Sequence, residues 1–458
     1  MSTTTKYGAI IIGSGQGGTP LARALAEAGY NTALIEREHI GGCCVNDGCT
    51  PTKTMIASGR VAHLSRLGPE YGVHMAGPSK SVRRNEVTID MTKVRQRKRD
   101  IASFVGERTL NVVMGDGSQR VVSGETIVIN TGCRPVVPPL KGLEKVDRPR
   151  ILDSTSIMEL GEVPEHLVVV GGGYIGVEFG QLFRRLGARV TIVHRGGQLL
   201  PREDKELADA LLDIFREDHI AVHLETTPTG VSSGAKGSFD VSIRDKYGEA
   251  VLKDASHILF AAGRVPNTER LNAAVAGVKT DAKRYVVTNE FLETSAPGIY
   301  AIGDIRGPPA FTHISYDDFR VLRSALLPSP QTASKLSVKD RLVAYVAYTD
   351  PQFAHVGLHE HEAREKFPDR TILTAQMPMT YVARALETAE TRGAMKAVVD
   401  GDTGHILGFS CLGAEGGELM SVVQVAMIGN LHYQKLQDAV LAHPTFAESL
   451  NNLWGSLR

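Results

Sequence analysis

One segment organises the chain, and it reads Gly41-Gly42-Cys43-Cys44-Val45-Asn46-Asp47-Gly48-Cys49-Thr50-Pro51-Thr52-Lys53. Cys44 and Cys49 stand in a glycine-containing loop before a helix predicted over 52–67, with Pro51 in its first turn. Such a loop can bring two sulfurs together, and a helix N-terminus stabilises a thiolate. The segment therefore suits a reversible disulfide. Two unrelated buried thiols are the alternative, but a dinucleotide-binding motif just upstream favours the redox pair.

Composition restricts the class of protein. The 458 residues are 42% hydrophobic and 22% charged, enough for two or three domains. Lys plus Arg and Asp plus Glu both number 51, so the zero net charge argues against a nucleic-acid partner, and we interpret the basic run 95–99 as a solvated helix face. Five cysteines do not form a secreted disulfide framework, and no segment approaches the ~20 apolar residues of a membrane span. We expect a cytoplasmic protein without membrane or nucleic-acid partners.

A first nucleotide-binding unit opens the chain. A strand predicted over 7–12 leads into Gly13-Ser14-Gly15-Gln16-Gly17-Gly18, a helix over 19–28 and a strand over 32–35 that ends on Glu36. The glycines let the backbone approach a pyrophosphate, the helix N-terminus attracts its charge, and Glu36 can bind ribose hydroxyls. This pattern predicts a dinucleotide site.

A second unit of the same kind begins at His166. A strand over 167–170 precedes Gly171-Gly172-Gly173-Tyr174-Ile175-Gly176, followed by a helix over 177–186 and a strand over 189–193. Two such units predict two nucleotides, between which electrons can pass. Arg195 follows His194 where a ribose-binding acid would stand, which favours NADPH over NADH, although a solvent-facing arginine is the alternative.

Two further motifs carry candidate chemistry. Asp304 follows a buried strand and Gly303, so it can hydrogen-bond a cofactor polyol or simply serve as a turn residue. Near the end of the chain, Pro444 fixes the backbone after His443, and Glu448 lies within a turn. We interpret His443 as an acid/base rather than a structural histidine.

Together these motifs resemble the flavoprotein disulfide reductases, the pyridine nucleotide-disulfide oxidoreductases that include glutathione reductase, dihydrolipoamide dehydrogenase and mercuric reductase. The match spans nearly the whole chain. It implies an α/β fold with two Rossmann-like domains, for FAD and NAD(P), and a C-terminal α+β dimerisation domain. The expected boundaries are an FAD-binding domain at 1–150 and 276–337, an NAD(P)-binding domain at 151–275 and a dimerisation domain at 338–458.

The resemblance also implies the roles of individual residues. Cys49 would be the thiolate against the flavin and Cys44 the exposed thiol that attacks substrate. Lys53, paired with Glu178, would stand beside the flavin, and Tyr174 would cover the flavin until nicotinamide displaces it. The residues expected to contact FAD or NAD(P)H are Gly13, Gly15, Gly18, Glu36, Thr131, Gly132, Gly303, Asp304, Gly171, Gly173, Tyr174, Gly176, Arg195 and Gly263.

Quaternary structure follows from the same resemblance. His443, oriented by Glu448, would move the proton and would reach across a two-fold interface into the partner's site. We therefore expect a homodimer assembled through the third domain.

The oxidised substrate is less constrained. A small disulfide is the first candidate. Mercury reduction is disfavoured because residues 451–458 lack the cysteine pair of mercuric reductase. The segments 200–204, 311–320 and 443–453 look closest to the reactive-chlorine-resistance branch, for which copper(II) reduction is reported, so a metal-ion reductase acting in oxidant or metal stress is the leading alternative.

Two rival functions differ from a disulfide reductase in the groups that they need. A redox sensor without turnover would need neither the acid/base nor the nicotinamide features, whereas a diaphorase would need neither Cys44 nor Cys49. No resident metal is expected. Cys43 is either a small buried residue or a third redox or metal-contacting thiol, and Cys133 and Cys411 are interpreted as core residues.

Overall fold

The computed structural model describes residues 4–71, 101–106, 108–114, 116–327 and 335–458. The basic helix predicted over 90–101, with its run 95–99, lies outside these ranges except for Ile101, which begins a strand. Most of a polar linker predicted over 328–337 also lies outside them. Within these ranges, no helix combines the length and apolar character needed to cross a membrane.

The chain forms two compact units. The first comprises Met1–Thr52, Thr92–Val136 and Gly263–Arg341. The second comprises Lys53–Met91, Val137–Ala262 and Leu342–Arg458.

The first unit is built on a six-stranded sheet with the long strand Gln119–Ile129 at its centre. The first two strands of this sheet in chain order and its last strand, Ile299–Ala301, run parallel to that central strand. Its strands are, in chain order, Thr5–Ile12, Thr32–Ile35, Ile101–Gly106, Thr109–Val113, Gln119–Ile129 and Ile299–Ala301. The second half of strand Thr5–Ile12 is apolar without alternation because both of its faces are covered there: Ile10 and Ile12 enter one core, and Ala9 and Ile11 enter another. A two-stranded ribbon of Cys133–Pro135 and Arg264–Pro266 completes the unit's strands.

Helices of the first unit stand at the ends of these strands. They are Gly18–Glu27, Gly42–Asn46 and Thr312–Leu326. The helix Cys49–Leu67 starts in this unit and begins three residues earlier than predicted, so Cys49 itself is its first residue.

The second unit contains a parallel sheet of the nucleotide-binding type. Its strands, in spatial order, are Ala221–His223, Arg189–Val193, His166–Val170, His257–Phe260 and Ile151–Leu152. A three-stranded antiparallel sheet accompanies it, made of Thr227–Ser233, Phe239–Asp245 and Gly248–Ala255. The helices Tyr174–Leu186 and Lys205–Glu217 bury Val177, Phe183 and Phe215 in the core that they share with the parallel sheet.

The C-terminal part of the second unit is an antiparallel sheet with helices, as predicted. Its strands, in spatial order, are Ala344–Ala347, Gln352–Gly357, Ile406–Gly413, Ala394–Asp400 and Ile372–Pro378. Its helices are Glu360–Lys366, Ala383–Glu387, Gly416–Ile428, Tyr433–Gln437 and Ser449–Leu453. Phe409, Met395, Leu450 and Trp454 are buried in its core. The fold is thus α/β, with two Rossmann-like nucleotide-binding parts and a C-terminal α+β part.

Candidate active site

The first glycine loop leaves no room for a side chain at Gly13 or Gly18. Gly13 has φ +101°, and a Cβ there would lie 2.3 Å from the carbonyl oxygen of Asn130. A Cβ at Gly18 would lie 2.3 Å from the carbonyl oxygen of Gly13. The Asn130 side chain accepts a hydrogen bond from the Gly18 N–H at 3.0 Å. This close packing of loop, strand and helix is the geometry in which a backbone can approach a pyrophosphate.

Glu36 is fixed at the end of the second strand. One carboxylate oxygen accepts hydrogen bonds from the N–H (2.8 Å) and the hydroxyl (2.5 Å) of Ser14, and the other accepts from the N–H groups of Arg37 and Glu38. Burial opposes ionisation, but these hydrogen bonds outweigh it and lower the pKa of Glu36. The carboxylate is therefore charged and ties the second strand to the glycine loop.

Asp304 lies in the turn Gly303–Arg306, directly after strand Ile299–Ala301. Burial raises the pKa of its carboxyl group, and no other described residue donates a hydrogen bond to that group. The turn itself is anchored, because the Gly303 N–H donates to the fully buried Asp318 carboxylate at 2.8 Å. A half-buried carboxylate without protein donors fits a ligand that carries hydroxyl groups, so the first unit suits a dinucleotide such as FAD.

Three further residues predicted to contact the nucleotides have structural features of their own: Thr131 makes a backbone hydrogen bond, and Gly132 and Gly263 have positive φ angles. The carbonyl oxygen of Thr131 accepts a hydrogen bond from the Asn267 side chain at 2.8 Å. Gly132 and Gly263 have φ values of +62° and +142°, with open space where a Cβ would stand. At these two positions glycine is favoured by the positive φ angle and not by lack of space for a side chain.

The second glycine loop repeats the close packing of the first. Gly171 has φ +122°, and its Cβ would lie 2.4 Å from the Ala261 carbonyl oxygen, while a Cβ at Gly176 would lie 2.0 Å from the Gly171 carbonyl oxygen. Gly173 precedes helix Tyr174–Leu186, makes no side-chain cap and has open space where its Cβ would stand. The N-terminal N–H groups of this helix are suited to bind an anion.

Arg195 extends from the end of the adjacent strand. The half-buried His194 accepts a hydrogen bond from the Gly172 N–H at 3.1 Å through Nδ1, and burial, with the nearby Arg195, lowers its pKa. His194 is therefore neutral and packs against the loop. Arg195 is exposed and forms no ion pair with any residue that the structure describes.

The two cysteines of the organising segment meet at one hydroxyl group. Cys44 lies in the short helix Gly42–Asn46, and Cys49 begins the next helix. The Thr312 Oγ1 atom is 3.1 Å from both sulfurs. Hydrogen bonds from Cys49 and Thr312 lower the pKa of the Cys44 thiol to about 6. Both cysteines are thiols here; Cys49 is exposed and Cys44 half-buried, whereas the resemblance made Cys44 the exposed thiol.

The remaining cysteines differ from this pair. The Cys43 residue is exposed, but its sulfur faces Arg264 at 3.8 Å, and local burial of the sulfur raises its pKa to about 11. Burial raises the pKa values of Cys133 and Cys411 to about 12. All three stay protonated at neutral pH, and the prediction that Cys133 and Cys411 are buried is confirmed.

Lys53 and Glu178 form a largely buried ion pair. The ammonium group lies 2.9 and 2.7 Å from the two carboxylate oxygens, and the Glu178 side chain is only 7% exposed. The Tyr348 N–H donates to the same carboxylate at 2.8 Å, and the Lys53 ammonium stands 4.8 Å above the Tyr348 ring. The cationic group is thus held by contacts on two sides.

His443 and Glu448 also come together. The Nδ1 atom lies 3.0 Å from each oxygen of the carboxylate. Glu448 is partly buried, whereas the His443 side chain is 70% exposed. Because a carboxylate accepts, Nδ1 carries a proton, which leaves Nε2 as the ring nitrogen that can exchange a proton.

Sequence reasoning missed two features. Thr312 lies in one of the segments that carried the resemblance, but nothing local indicates its contact with both thiols. A group made of the buried Glu203 and His359 and the half-buried Tyr345 was not predicted, and its members are brought together only by the fold.

These features define a class: an α/β protein with two dinucleotide cradles and a reactive dithiol. Residues 7–318 match the model of the pyridine nucleotide-disulphide oxidoreductases, and residues 343–453 match the dimerisation domain of the same family. The chain belongs to this family, whose members are flavoproteins that bind FAD and a pyridine nucleotide.

Individual relatives agree with that assignment. The chain is 34% identical over 471 residues to the probable pyridine nucleotide-disulfide oxidoreductase RclA of Escherichia coli, covering 99% of this chain and all of RclA. It is also 34% identical over 460 residues to a mercuric reductase of Staphylococcus aureus, covering 97% of this chain and 81% of that protein. The solved Cu(II) complex of the HOCl-induced flavoprotein disulfide reductase RclA matches with a TM-score of 0.83 and 32% identity, covering 99% of each chain.

Proposed function

We propose that this protein is an FAD-dependent NAD(P)H:disulfide oxidoreductase that passes electrons through Cys44 and Cys49 to a small disulfide. The observation that carries the proposal is the thiol pair bridged by Thr312, in which the pKa of Cys44 is about 6. A thiol attacks a disulfide best when its pKa is close to the ambient pH. A buried structural cysteine, such as Cys411, has the opposite property.

Two sets of residues would hold the cofactors. Gly13, Gly15, Gly18, Glu36 and Asp304 fit FAD, which when bound takes hydride from NAD(P)H and delivers an electron pair to a disulfide. The loop 171–176 and the N-terminus of helix Tyr174–Leu186 fit the pyrophosphate of NAD(P)H. The exposed Arg195 supports a preference for NADPH, because its guanidinium can pair with a 2′-phosphate.

The exchange step can be written from the thiol geometry. In the reduced pair, the Cys44 thiolate attacks one sulfur of the substrate disulfide, a mixed disulfide forms, and the first thiolate leaves and is protonated. Cys49 then attacks the Cys44 sulfur, the second thiolate leaves, and the Cys44–Cys49 disulfide is restored. Each substrate disulfide takes up two electrons and two protons.

His443 would supply the protons. Its Nδ1 proton is held by Glu448, so Nε2 is the atom that exchanges a proton with the leaving thiolate. The large exposure of the side chain fits a group whose site is completed by a second copy of the chain, and the dimerisation domain supports a homodimer.

Reduction of a metal ion is the second candidate. A relative was solved as a Cu(II) complex, and mercuric reductases are among the proteins similar to this chain. Paired thiolates are ligands that soft metal ions prefer, so the same Cys44 and Cys49 could receive such an ion as substrate.

An anaerobic titration of the purified, FAD-loaded protein with NADPH and then NADH tests the proposal. We expect a long-wavelength absorbance band from a thiolate beside the flavin. We also expect the band to form at a lower concentration of NADPH than of NADH. Bleaching of the flavin without this band would show that the dithiol is bypassed and would favour a diaphorase. A band that forms without turnover of disulfides or of Cu(II) and Hg(II) would favour a redox sensor.

A further inference from the structure

A buried carboxylate receives hydrogen bonds from two tyrosines in the second unit. Glu203 is 4% exposed and lies just before helix Lys205–Glu217. One of its oxygens, Oε1, accepts from the Tyr174 hydroxyl at 2.8 Å and from the Tyr345 hydroxyl at 2.9 Å. The two rings also pack edge to face, with centroids 5.5 Å apart. Tyr174, the first residue of the helix after the second glycine loop, is thus fixed both by the hydrogen bond of its hydroxyl group and by the packing of its ring.

The second Glu203 oxygen, Oε2, is buried and makes no hydrogen bond with any described residue. A buried carboxylate oxygen without a hydrogen bond lowers the stability of the folded protein unless a positive charge is near. His359, also 4% exposed, lies 3.7 Å from this oxygen, and its Nε2 is 3.1 Å from the Tyr345 hydroxyl. Burial opposes a charge on His359, but Asp204 and Glu203 outweigh it and raise its pKa. Burial raises the pKa of Glu203 as well, but the nearby His359 and the two tyrosine hydroxyls oppose that rise and so favour the charged carboxylate that accepts both hydrogen bonds.

A metal site does not explain this group. The nearby His355 uses both ring nitrogens, with the Ser410 hydroxyl at 2.8 Å and the Gly357 carbonyl oxygen at 3.0 Å. Lys396 adds an ammonium group 3.5 Å from Asp204. A cation would have to displace these contacts and enter beside a lysine, so the arrangement favours hydrogen bonding over metal binding.

We propose that Glu203 is a positioning residue for Tyr174, holding its hydroxyl in the nucleotide-free protein so that this hydrogen bond must break when the nicotinamide part of NAD(P)H enters. The proposal rests on the proposed function and on the role that the family resemblance implies for Tyr174, whose ring would cover the flavin until nicotinamide displaces it. Binding of the nucleotide therefore works against a charge-assisted hydrogen bond, which is stronger than a neutral one. The free energy needed to break this hydrogen bond lowers the affinity for the nucleotide. In the absence of nucleotide, the intact hydrogen bond keeps Tyr174 in one position.

The test measures the dissociation constants of NADP⁺ and NAD⁺ for the FAD-loaded protein by calorimetry. Tyr174→Phe removes only the hydroxyl, and Glu203→Gln removes the charge that it contacts. Because a hydrogen bond to a charged group is lost, we expect each change to tighten nucleotide binding by about three- to tenfold. Glu203→Gln and Tyr174→Phe act on one bond, so the double variant should bind no more tightly than the tighter single variant.

Two further variants separate positioning from a purely structural role. Tyr345→Phe removes a hydroxyl from the same Glu203 oxygen but keeps the hydrogen bond between Tyr174 and Glu203, so nucleotide binding should change less than in Tyr174→Phe. Lys205→Ala, at an exposed ion pair with Asp209, serves as the control with unchanged binding. If Glu203→Gln does not fold, the comparison of Tyr174→Phe with Tyr345→Phe decides.

The outcomes separate the two proposals. Unchanged or weaker binding in Tyr174→Phe, with nucleotide still bound by the unsubstituted protein, would overturn the positioning role and leave the proposed function standing. Absence of any nucleotide binding by the unsubstituted protein would overturn both. A lower thermal unfolding midpoint without tighter binding would show that Glu203 only stabilises the fold.

Discussion

The Nδ1 atom of His443 lies 3.0 Å from both carboxylate oxygens of Glu448, and this contact fixes which nitrogen carries the proton. The free Nε2 belongs to a side chain that is 70% exposed. The ring is therefore oriented by its own chain and largely exposed. Such an arrangement suits proton transfer better than a structural histidine, whose two nitrogens would both be used inside the fold.

Replacement of the proposed acid/base should slow disulfide turnover. We expect His443→Gln to lower kcat by about 10²- to 10⁴-fold, the usual contribution of a positioned proton-transfer group. Glu448→Gln should cause a smaller loss, because the ring remains and only its anchor weakens. His405→Gln, a surface change in the same part of the chain, is the control. Equal kcat values for His443→Gln and the unsubstituted protein would contradict the assignment.

The thiol pair can be tested by turnover. Cys44→Ser should abolish disulfide reduction while NAD(P)H-dependent quinone reduction continues, because only the first of these reactions needs the nucleophile. Cys43→Ala is the matched control, since the Cys43 thiol has a pKa of about 11 and is protonated at neutral pH. Disulfide turnover that survives in Cys44→Ser would refute the exchange step.

Thr312 should tune the reactivity of Cys44. Its hydroxyl helps to lower the pKa of Cys44 to about 6, so the reduced protein is expected to be alkylated by iodoacetamide increasingly as the pH rises through that value. Thr312→Val removes the hydrogen bond but keeps the shape, and the midpoint of the alkylation profile should move to higher pH. Mass spectrometry of the modified peptide measures Cys44 separately. An unchanged midpoint would show that Thr312 has no influence on the thiol.

The choice of nucleotide should depend on Arg195. Arg195→Ala is expected to raise the KM for NADPH by about 10- to 100-fold and to leave the KM for NADH nearly unchanged, since only NADPH carries the 2′-phosphate. Arg216→Ala, an exposed arginine on helix Lys205–Glu217, is the control. Equal increases for both nucleotides would mean that Arg195 does not recognise the phosphate.

The Lys53–Glu178 pair should contribute to stability as well as to the site. Lys53→Met leaves the buried Glu178 carboxylate without its cation, and we expect the free energy of unfolding to fall by about 2–3 kcal/mol. Lys205→Ala removes an exposed ion pair and should cost about 0.5 kcal/mol or less. Thermal and urea unfolding of the two variants measure the difference. Similar losses would indicate that burial of Glu178 is compensated elsewhere.

Much of the fold was predictable because its signals are local. The strands Thr32–Ile35 and Arg189–Val193 have the predicted bounds, since each is a short apolar run between turn residues. The helix Lys205–Glu217 and the strands Thr227–Ser233 and Gly248–Ala255 were not predicted. The two strands are partly polar and belong to a small antiparallel sheet, so their stability depends on tertiary contacts.

The sequence by itself determined the family, the two glycine loops and the candidate pairs Cys44–Cys49 and His443–Glu448, because glycine conformation and motif spacing are properties of short segments. The pair of Lys53 and Glu178, 125 positions apart, was implied only by the resemblance to the family. Only the tertiary structure decided the environment of these residues. Thr312 reaches both thiols across more than 260 positions of the chain, and Tyr345 reaches Glu203 across 142. Such contacts depend on how sheets and helices pack, and hydrogen bonding and burial at those contacts set the acidity and orientation of the reactive groups.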